Sequence, residues 1–461
     1  MGVSRRARLI AWCAAAVLLV ALVVPYVVPL GSYIPAIEQS AAATLGQPVR
    51  VEALRLHLLP RPHVTAYRTS IGQPVSAGID AIVVTPQLSS LLATAGLVLD
   101  IHVVRPWIEQ AGLAVLAHAA GAPRKADGSA SPEPRVERVR ITDAELRLAA
   151  GSIANLDATI QFDATRALER VDLAQAGGRL RATLQPAGRD FSLEVIAREW
   201  HLPVGRPVKF DRLDARGTVN AHGLALRTID GRLYDGAVVG NLLLGWKGGW
   251  KLDGRFTVTD VAVAPLAVAV AVGGNSSLSG RLRAKPVVSA SAPVAGGIAD
   301  ALQLDTDFEI AHGVLKGMDL NAAARSVLGT TDAKSGDTRF DYLTGHFAVD
   351  REGFHFSALE IASGLLKATG DVSISRSREL SGDISAEVRG TASLIATPLS
   401  ISGTVDDPVV RPSKAALAGA AVGTAILPGV GTAIGAKAGV LTKKLFGGSP
   451  RKRVDENGAG R

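Results

Sequence analysis

Cysteine is nearly absent from this sequence. Cys13 is the only cysteine among 461 residues, so no intrachain disulfide can form. A fold without disulfides depends on hydrogen-bonded secondary structure and on the packing of apolar side chains. Since Cys13 lies inside a long apolar stretch, it is also excluded as a nucleophile in solution.

Aromatic residues are few as well. The chain has 5 Trp, 5 Tyr and 10 Phe, which is too few for a surface that stacks the bases of single-stranded nucleic acid. The formal net charge is +8, but the basic residues are dispersed along the chain. A positive balance points to nucleic acid or anionic lipid as a partner, and dispersed charge makes nucleic acid the weaker choice, so we expect no nucleic-acid partner.

Catalytic motifs are also missing. The nine histidines are scattered, with no H-E-x-x-H pair, and no G-x-S-x-G elbow is present. Residues 429–435, GVGTAIG, resemble a dinucleotide loop only superficially, because they follow an alanine-rich stretch and no βαβ unit comes after them. We therefore expect no enzyme activity, no catalytic residue, no metal and no cofactor. A hydrolase is the enzymatic alternative, and it requires carboxylates or histidines that meet in a pocket.

One long apolar run is present near the start. Residues 9–30 carry no charge, and Arg5, Arg6 and Arg8 precede them. About 20 apolar residues in a helix cross the hydrocarbon core of a bilayer, so this segment is predicted to be a transmembrane anchor. The arginines place residues 1–8 in the cytoplasm and the rest of the chain on the far side. The alternative is a cleaved signal peptide, for which the run is too long.

A short helix and an alternating segment follow the anchor. Residues 32–45 are predicted to be helical, with Ser32 as N-cap and Gly46 as the stop. Strands begin at residue 48, where apolar and polar residues alternate with period two. The alternation slips by one residue at Ala53, and a β-bulge there would keep both apolar sets on one face. These predicted inward-facing residues are Val49, Val51, Leu54 and Leu56.

Most of the remaining chain shows the same alternation. Residues 121–135 are rich in Pro, Gly, Ser and charge and are predicted to be a linker. From residue 136 to residue 412, runs in which apolar and polar residues alternate recur, and we take Leu156, Ile160, Leu304 and Phe308 as inward-facing. Asp-Gly and Gly-Gly pairs punctuate these runs and predict hairpin turns at residues 230–231, 235–236, 248–249 and 253–254.

This pattern predicts a mainly antiparallel β protein with one apolar and one polar face. Two sheets could close their apolar faces against each other as a sandwich, which is the common solution. Alternatively, one elongated sheet could curl into a groove whose apolar face is covered by something other than protein. Periodicity alone leaves both arrangements open.

A glycine-rich segment follows the strands. Residues 413–446 are predicted to form two short helices around a Pro-Gly turn, too short to span a bilayer. Small residues at this spacing let helices approach closely, and lysines can meet anionic headgroups. The predicted membrane-contact residues are Gly419, Gly423, Gly431, Gly435, Gly439, Lys443 and Lys444. A hairpin that merely covers the sheet edge is the alternative, and residues 447–461 are expected to be disordered.

The order of several segments resembles the AsmA family of envelope proteins. The N-terminal pieces are the anchor, YIPAIEQSAAATLGQPVRVEALRLHLLPRPHVT from Tyr33 and VVRPWIE from Val103. The C-terminal pieces are RLYDGAVVGN (232–241), FEIAHGVLKGMDL (308–320), the segment 338–374 and ISGTVDDPVVRPS (401–413). The match to the C-terminal region is the strongest, whereas the linker at 121–135 departs from the pattern.

The resemblance implies a single-pass inner-membrane protein whose body lies in the periplasm of a Gram-negative bacterium. Residues 31–120 would form an N-terminal helix and β region, and residues 136–412 the β-groove. The family is similar in architecture to bridge-like lipid transfer proteins, so the implied function is phospholipid transport in outer-membrane assembly, with an envelope protein as a further partner. The rival expectation is an assembly factor that binds outer-membrane protein clients without carrying lipid.

Overall fold

The computed structural model describes residues 30–91, 97–109, 134–148, 151–202, 208–269, 278–317, 319–320, 336–364, 366–389 and 394–413. The predicted cytoplasmic tail, the predicted anchor up to residue 29, most of the predicted linker and the segment from residue 414 onward lie outside these ranges. All of the predicted membrane-contact residues, from Gly419 to Lys444, are therefore outside the described part of the chain. Within it, no helix combines the length and the apolar character needed to cross a bilayer.

The described chain is mainly β, as predicted, and its 22 strands belong to one hydrogen-bonded sheet. The strands are β1 (Val49–His57), β2 (His63–Ile71), β3 (Ala77–Pro86), β4 (Val98–Glu109), β5 (Arg135–Leu148), β6 (Gly151–Phe162), β7 (Leu168–Gln175), β8 (Leu180–Ala187), β9 (Asp190–His201), β10 (Lys209–Asn220), β11 (Gly223–Leu233), β12 (Gly236–Gly245), β13 (Trp250–Ala262), β14 (Leu278–Ala284), β15 (Val287–Ala292), β16 (Gln303–Leu315), β17 (Thr338–Val349), β18 (Gly353–Ser363), β19 (Leu366–Ser375), β20 (Leu380–Arg389), β21 (Leu394–Gly403) and β22 (Pro408–Pro412).

Helices in the described ranges are short. The α-helices are α1 (Ile34–Leu45), α2 (Leu88–Leu91) and α3 (Val263–Ala269), and 3₁₀ turns occupy Leu30–Tyr33, Ala176–Gly178 and Ala295–Gly297. Helix α1 confirms the predicted helix, and Gly46 ends it in the left-handed conformation with its N–H bonded to the Ala42 carbonyl. The predicted N-cap is wrong, because the helix is preceded by a 3₁₀ turn that makes Tyr33 the N-cap.

Strand pairing is antiparallel nearly throughout, which confirms the strand-after-strand prediction. One pair departs from it: β4 and β5 are parallel, with Val103 opposite Ile141 and Trp107 opposite Glu145. Parallel neighbours need a crossover of about a dozen residues or more, and residues 110–134 supply that length. Residues 110–134 therefore connect two parallel strands, which the composition of the predicted linker did not indicate.

The chain divides into two compact units. Unit 1 comprises Met1–Leu233, Val239–Gly254 and Ala290–Ala301, and unit 2 comprises Tyr234–Val238, Arg255–Ser289 and Leu302–Arg461. In unit 1, β1 to β11 pair consecutively. In unit 2, β14 pairs with β16, and β16 to β22 pair consecutively.

The alternation slip in β1 is not accommodated as predicted. The register of β1 against β2 runs without a shift on both sides of the slip, so the expected β-bulge at Ala53 is absent. The irregularity lies instead in the partner strand, where Arg68 has φ 47° and forms an ion pair with Glu52. Val49 and Val51 are buried, whereas Leu54 and Leu56 are half-buried.

The predicted turns are half right. Turns join β11 to β12 at Tyr234-Asp235 and β12 to β13 at Gly248-Gly249, both with positive φ. The pairs at 230–231 and 253–254 lie inside β11 and β13 instead. At the first, a Cβ on Gly231 would lie 3.3 Å from the Phe210 ring, so this glycine makes room for an aromatic side chain rather than a turn.

Candidate functional site

Two apolar rows cross unit 1 from strand to strand. Residues directly opposite each other in a sheet point to the same face, so the pairing register can be followed across the strands. The first row, on β1 to β11 in order, is Leu54, Ala66, Ile82, Val103, Ile141, Ala158, Leu173, Ala182, Val195, Ala215 and Ile229. Every member of this row is apolar.

The second row lies two residues along most strands and therefore on the same face. It consists of Leu56, Val64, Val84, Ile101, Val139, Ile160, Val171, Leu184, Leu193, Gly217 and Leu226. We refer to the two rows together as the unit 1 apolar face. No charged or hydrogen-bonding side chain interrupts it.

The side chains of this face remain partly accessible. Ala215 is buried, with 4% of its surface exposed, whereas the other members of both rows are half-buried. A sheet whose apolar face is covered by a second sheet would bury such side chains almost completely, since protein cores are close-packed. Half-buried aliphatic rows are what an uncovered sheet face presents.

The opposite face of the same strands is polar. Between the two apolar rows runs a third row with His102, Arg140, Thr159, Asp172, Thr183, Glu194, Arg216 and Thr228 on β4 to β11. Arg216 pairs with Glu194 at 2.9 Å, and Arg170 with Asp172 at 2.6 Å. The hydrogen bond from Arg170 holds the pKa of Asp172 below its ordinary value. This face is solvated, and the chemistry of the two faces is cleanly separated.

Unit 2 also carries an apolar row, but much of it is buried. The row runs through Val261, Leu282, Ile310, Leu343, Ile361, Ala368, Ala386 and Thr397. Val263 of α3 and Leu320 join the same buried cluster, and the Leu320 N–H donates to Thr338 Oγ1 at 2.9 Å. These two elements cover part of the face.

A cleft remains beside this cluster. It encloses about 1190 Å³ of empty space, counted out to its open, solvent-facing side. It is lined mainly by apolar residues. The lining residues are Ala267, Leu278, Phe308, Ile310, Leu315, Lys316, Leu320, Leu343, Phe356, Leu359, Ile361, Ala368, Thr369, Gly370, Val372, Ile374, Leu380, Ile384, Ile401, Val405 and Pro408. We call this the unit 2 cleft. The part comparable with published cavity volumes is about 220 Å³, below the about 300–1,000 Å³ of typical small-molecule sites, because the cleft is open along one side.

Aromatic rings stand along one side of the cleft. Phe308 and Phe356 meet edge to face with ring centroids 6.2 Å apart, and Phe347 packs on Phe356 at 4.6 Å. On the polar side of β16 and β17, His346 is held by Asp305 and Asp307, each at 3.0 Å. The hydrogen bond with Asp307 raises the pKa of His346 above its ordinary value. These three titratable groups thus lie on the face away from the apolar lining.

The structure distributes the predicted inward-facing residues over both units. Leu54, Leu56 and Ile160 lie on the unit 1 apolar face, and Leu156 lies on the same face of β6 as Ile160. Phe308 lines the unit 2 cleft. Leu304 lies four residues before it on the same face of β16, half-buried opposite Val349. The buried pair Val49 and Val51 lies at the other end of β1.

Sequence reasoning missed most of the cleft. Leu366, Ala368, Gly370, Val372 and Ile374 alternate with polar residues along β19, which is a signal that the sequence does carry. Lys316 has no comparable signal, because its place depends on where the strand before it ends. Among the residues that the structure describes, no group of three or more His, Cys, Asp or Glu is arranged to hold a metal ion.

Comparison with known proteins adds no relative. No family model, no curated protein and no solved structure matches the chain.

Proposed function

We propose that this protein binds the acyl chains of phospholipids on the unit 1 apolar face and in the unit 2 cleft, and conducts phospholipid between the inner and outer membranes of a cell envelope. The observation that carries the proposal is the pair of uninterrupted apolar rows across β1 to β11, whose side chains, except that of Ala215, are half-buried. In this proposal the sheet is a curled groove, and lipid supplies the missing cover.

The free energy of burying acyl chains is compatible with a lipid that moves along the sheet. Transfer of apolar surface out of water is favourable by about 25 cal/mol per Å², or about 0.8 kcal/mol per buried CH₂ group. Strands are spaced about 4.8 Å apart, so the ten spacings from β1 to β11 give a path of about 48 Å. One acyl chain spans half of a hydrocarbon core of about 30 Å, which is about 15 Å, so the path across the sheet is about three times the length of a lipid tail. Aliphatic walls offer similar contacts at each step.

The sheet edges favour this proposal over a client-binding assembly factor. Binding of extended clients needs a strand edge with free backbone groups. At one edge of unit 1, α1 packs on β1 and Glu38 Oε1 accepts the Val51 N–H at 2.7 Å. In unit 2, β22 pairs with β21 alone among the described strands, and it begins and ends with Pro408 and Pro412, which have no N–H to donate. Both edges are poor templates for another strand.

The proposed location follows from the sequence. Residues 9–30 would anchor the chain in the inner membrane, with the strands in the periplasm and the glycine-rich hairpin at residues 413–446 as the distal membrane contact. The resemblance to the AsmA family supports this arrangement. No chemistry is assigned to any residue, and the working parts are apolar surfaces.

A vesicle transfer assay tests the proposed function. Donor vesicles of phosphatidylethanolamine and phosphatidylglycerol carry the full chain and a self-quenched fluorescent phospholipid, and acceptor vesicles carry no protein. We expect the rate of dequenching to increase in proportion to the amount of chain in the donors. A rate equal to that of protein-free donors would remove lipid transport from consideration and leave protein partners as the alternative.

A further inference from the structure

We propose that Lys316 holds the phosphate of a phospholipid whose acyl chain lies in the unit 2 cleft, and that the preferred headgroup also carries an ammonium group. This inference rests on the proposed function and adds a headgroup position to it. Lys316 is the one charged residue among the described residues that line the cleft. It directly follows Leu315, the last residue of β16.

The lysine stands where the apolar lining meets solvent. Its side chain is exposed, whereas Leu315 beside it is half-buried and Leu320 is 1% exposed. An amphiphile has the matching arrangement, with an apolar tail that leaves water and a charged head that stays in it. Within the described part of the chain, Lys316 forms no ion pair, unlike Lys367, which pairs with Glu360 at 3.0 Å. Its ammonium is therefore available to a ligand.

A carboxylate accompanies Lys316 at this turn. Asp337 Oδ1 accepts the N–H of Gly317 at 3.0 Å, which places it beside the residue that follows Lys316. A headgroup with a net negative charge would be repelled by this carboxylate. A phosphate that is accompanied by an ammonium matches both signs of charge, which points to an ethanolamine-type phospholipid.

The cleft has room for a tail that starts at Lys316. Its lining comes from eight strands, β14 and β16 to β22. Seven spacings of about 4.8 Å correspond to about 34 Å along the sheet, and an acyl chain needs about 15 Å, half of a hydrocarbon core. Near Lys316 the tail would lie on Leu315 and Leu278, which are opposite each other on β16 and β14.

Photolabelling by lipid tails tests the assignment. The full chain in bilayer vesicles is irradiated with phosphatidylethanolamine or phosphatidylglycerol that carries a diazirine at the end of one acyl chain. Labelled peptides from residues 303–412 are then quantified by mass spectrometry. The variants are Lys316→Ala and Lys316→Glu, and the control is Lys285→Ala, because Lys285 is an exposed lysine of unit 2 outside the cleft lining.

We expect the ethanolamine lipid to label these peptides more strongly than the glycerol lipid. Lys316→Ala should lower that labelling roughly fivefold, because one charge-assisted hydrogen bond to the phosphate is lost where the cleft opens to solvent. Lys316→Glu should lower the labelling further, and Lys285→Ala should leave it unchanged. Equal labelling in the wild type and both Lys316 variants would overturn the headgroup assignment while leaving acyl binding in place. No labelling of the wild-type cleft by either lipid would instead overturn the proposed function for unit 2.

Discussion

Replacing Ile160 with aspartate is expected to reduce phospholipid transfer by at least about tenfold, because a carboxylate in the path of an acyl chain must lose its hydration or block the lipid. Ile160 lies near the middle of the second apolar row, between Val139 and Val171. Since its side chain is half-buried, the substitution does not place a charge in a closed core. The measurement is the dequenching rate in the vesicle assay.

The matched control for this variant is Gln161→Asp. Gln161 is the next residue on β6 and points to the opposite, polar face, where Arg138 and Arg170 lie across from it on the neighbouring strands. An aspartate there is well accommodated, so transfer should stay near the wild-type rate. Circular dichroism and hydrogen exchange should show both variants folded. Equal transfer by the two folded variants would mean that the apolar face does not carry lipid.

Replacing Gly313 with alanine is expected to destabilise β14, β16 and β17 by about 3 kcal/mol or more, at the upper end of the usual cost of overpacking. A Cβ at this position would lie 2.1 Å from the Phe340 ring and 2.3 Å from the Ser279 carbonyl oxygen. The ring is 4% exposed and has no room to withdraw, and the carbonyl belongs to the backbone of β14. These strands also line the unit 2 cleft, so the cleft should be lost with them.

Hydrogen exchange of peptides from residues 278–349 measures this effect locally, which suits a chain of two units. Gly317→Ala is the control. Gly317 has φ 70° but nothing within 4 Å of an added Cβ, so its cost is limited to backbone strain of roughly 1–2 kcal/mol. The packing argument predicts much faster exchange in the Gly313 variant than in the Gly317 variant. Comparable protection in the two would contradict it.

The sequence predicted the β architecture because alternation is a local property. Leu54, Leu56 and Ile160 were identified from period two alone, and the register of their strands brings Leu56 and Ile160 into one row across β1 to β6. The sequence could not predict that these residues are half-buried, because the same alternation is typical of a closed sandwich and of an open face.

The sequence-based predictions were wrong where a local residue preference competes with strand pairing. Gly254 follows Asp253 and predicts a turn, yet it is buried inside β13, so the strand continues through this pair despite its turn preference. The parallel pairing of β4 and β5 depends on where the chain returns after residues 110–134, which no periodicity records. Lys316 at the cleft is a similar case, because it depends on how several strands of unit 2 assemble.

Site-specific photocross-linking of the full chain in a Gram-negative host tests the central claim most directly. A photoreactive amino acid is placed at Ile101, Ile160 or Val171 on the unit 1 apolar face, and at Gln161 or Thr183 on the opposite face. The account predicts phospholipid adducts, identified by mass spectrometry, at the three apolar positions and none at the two polar ones. Adducts that are absent from both faces, or equally frequent on them, would contradict the proposal that lipid covers this face.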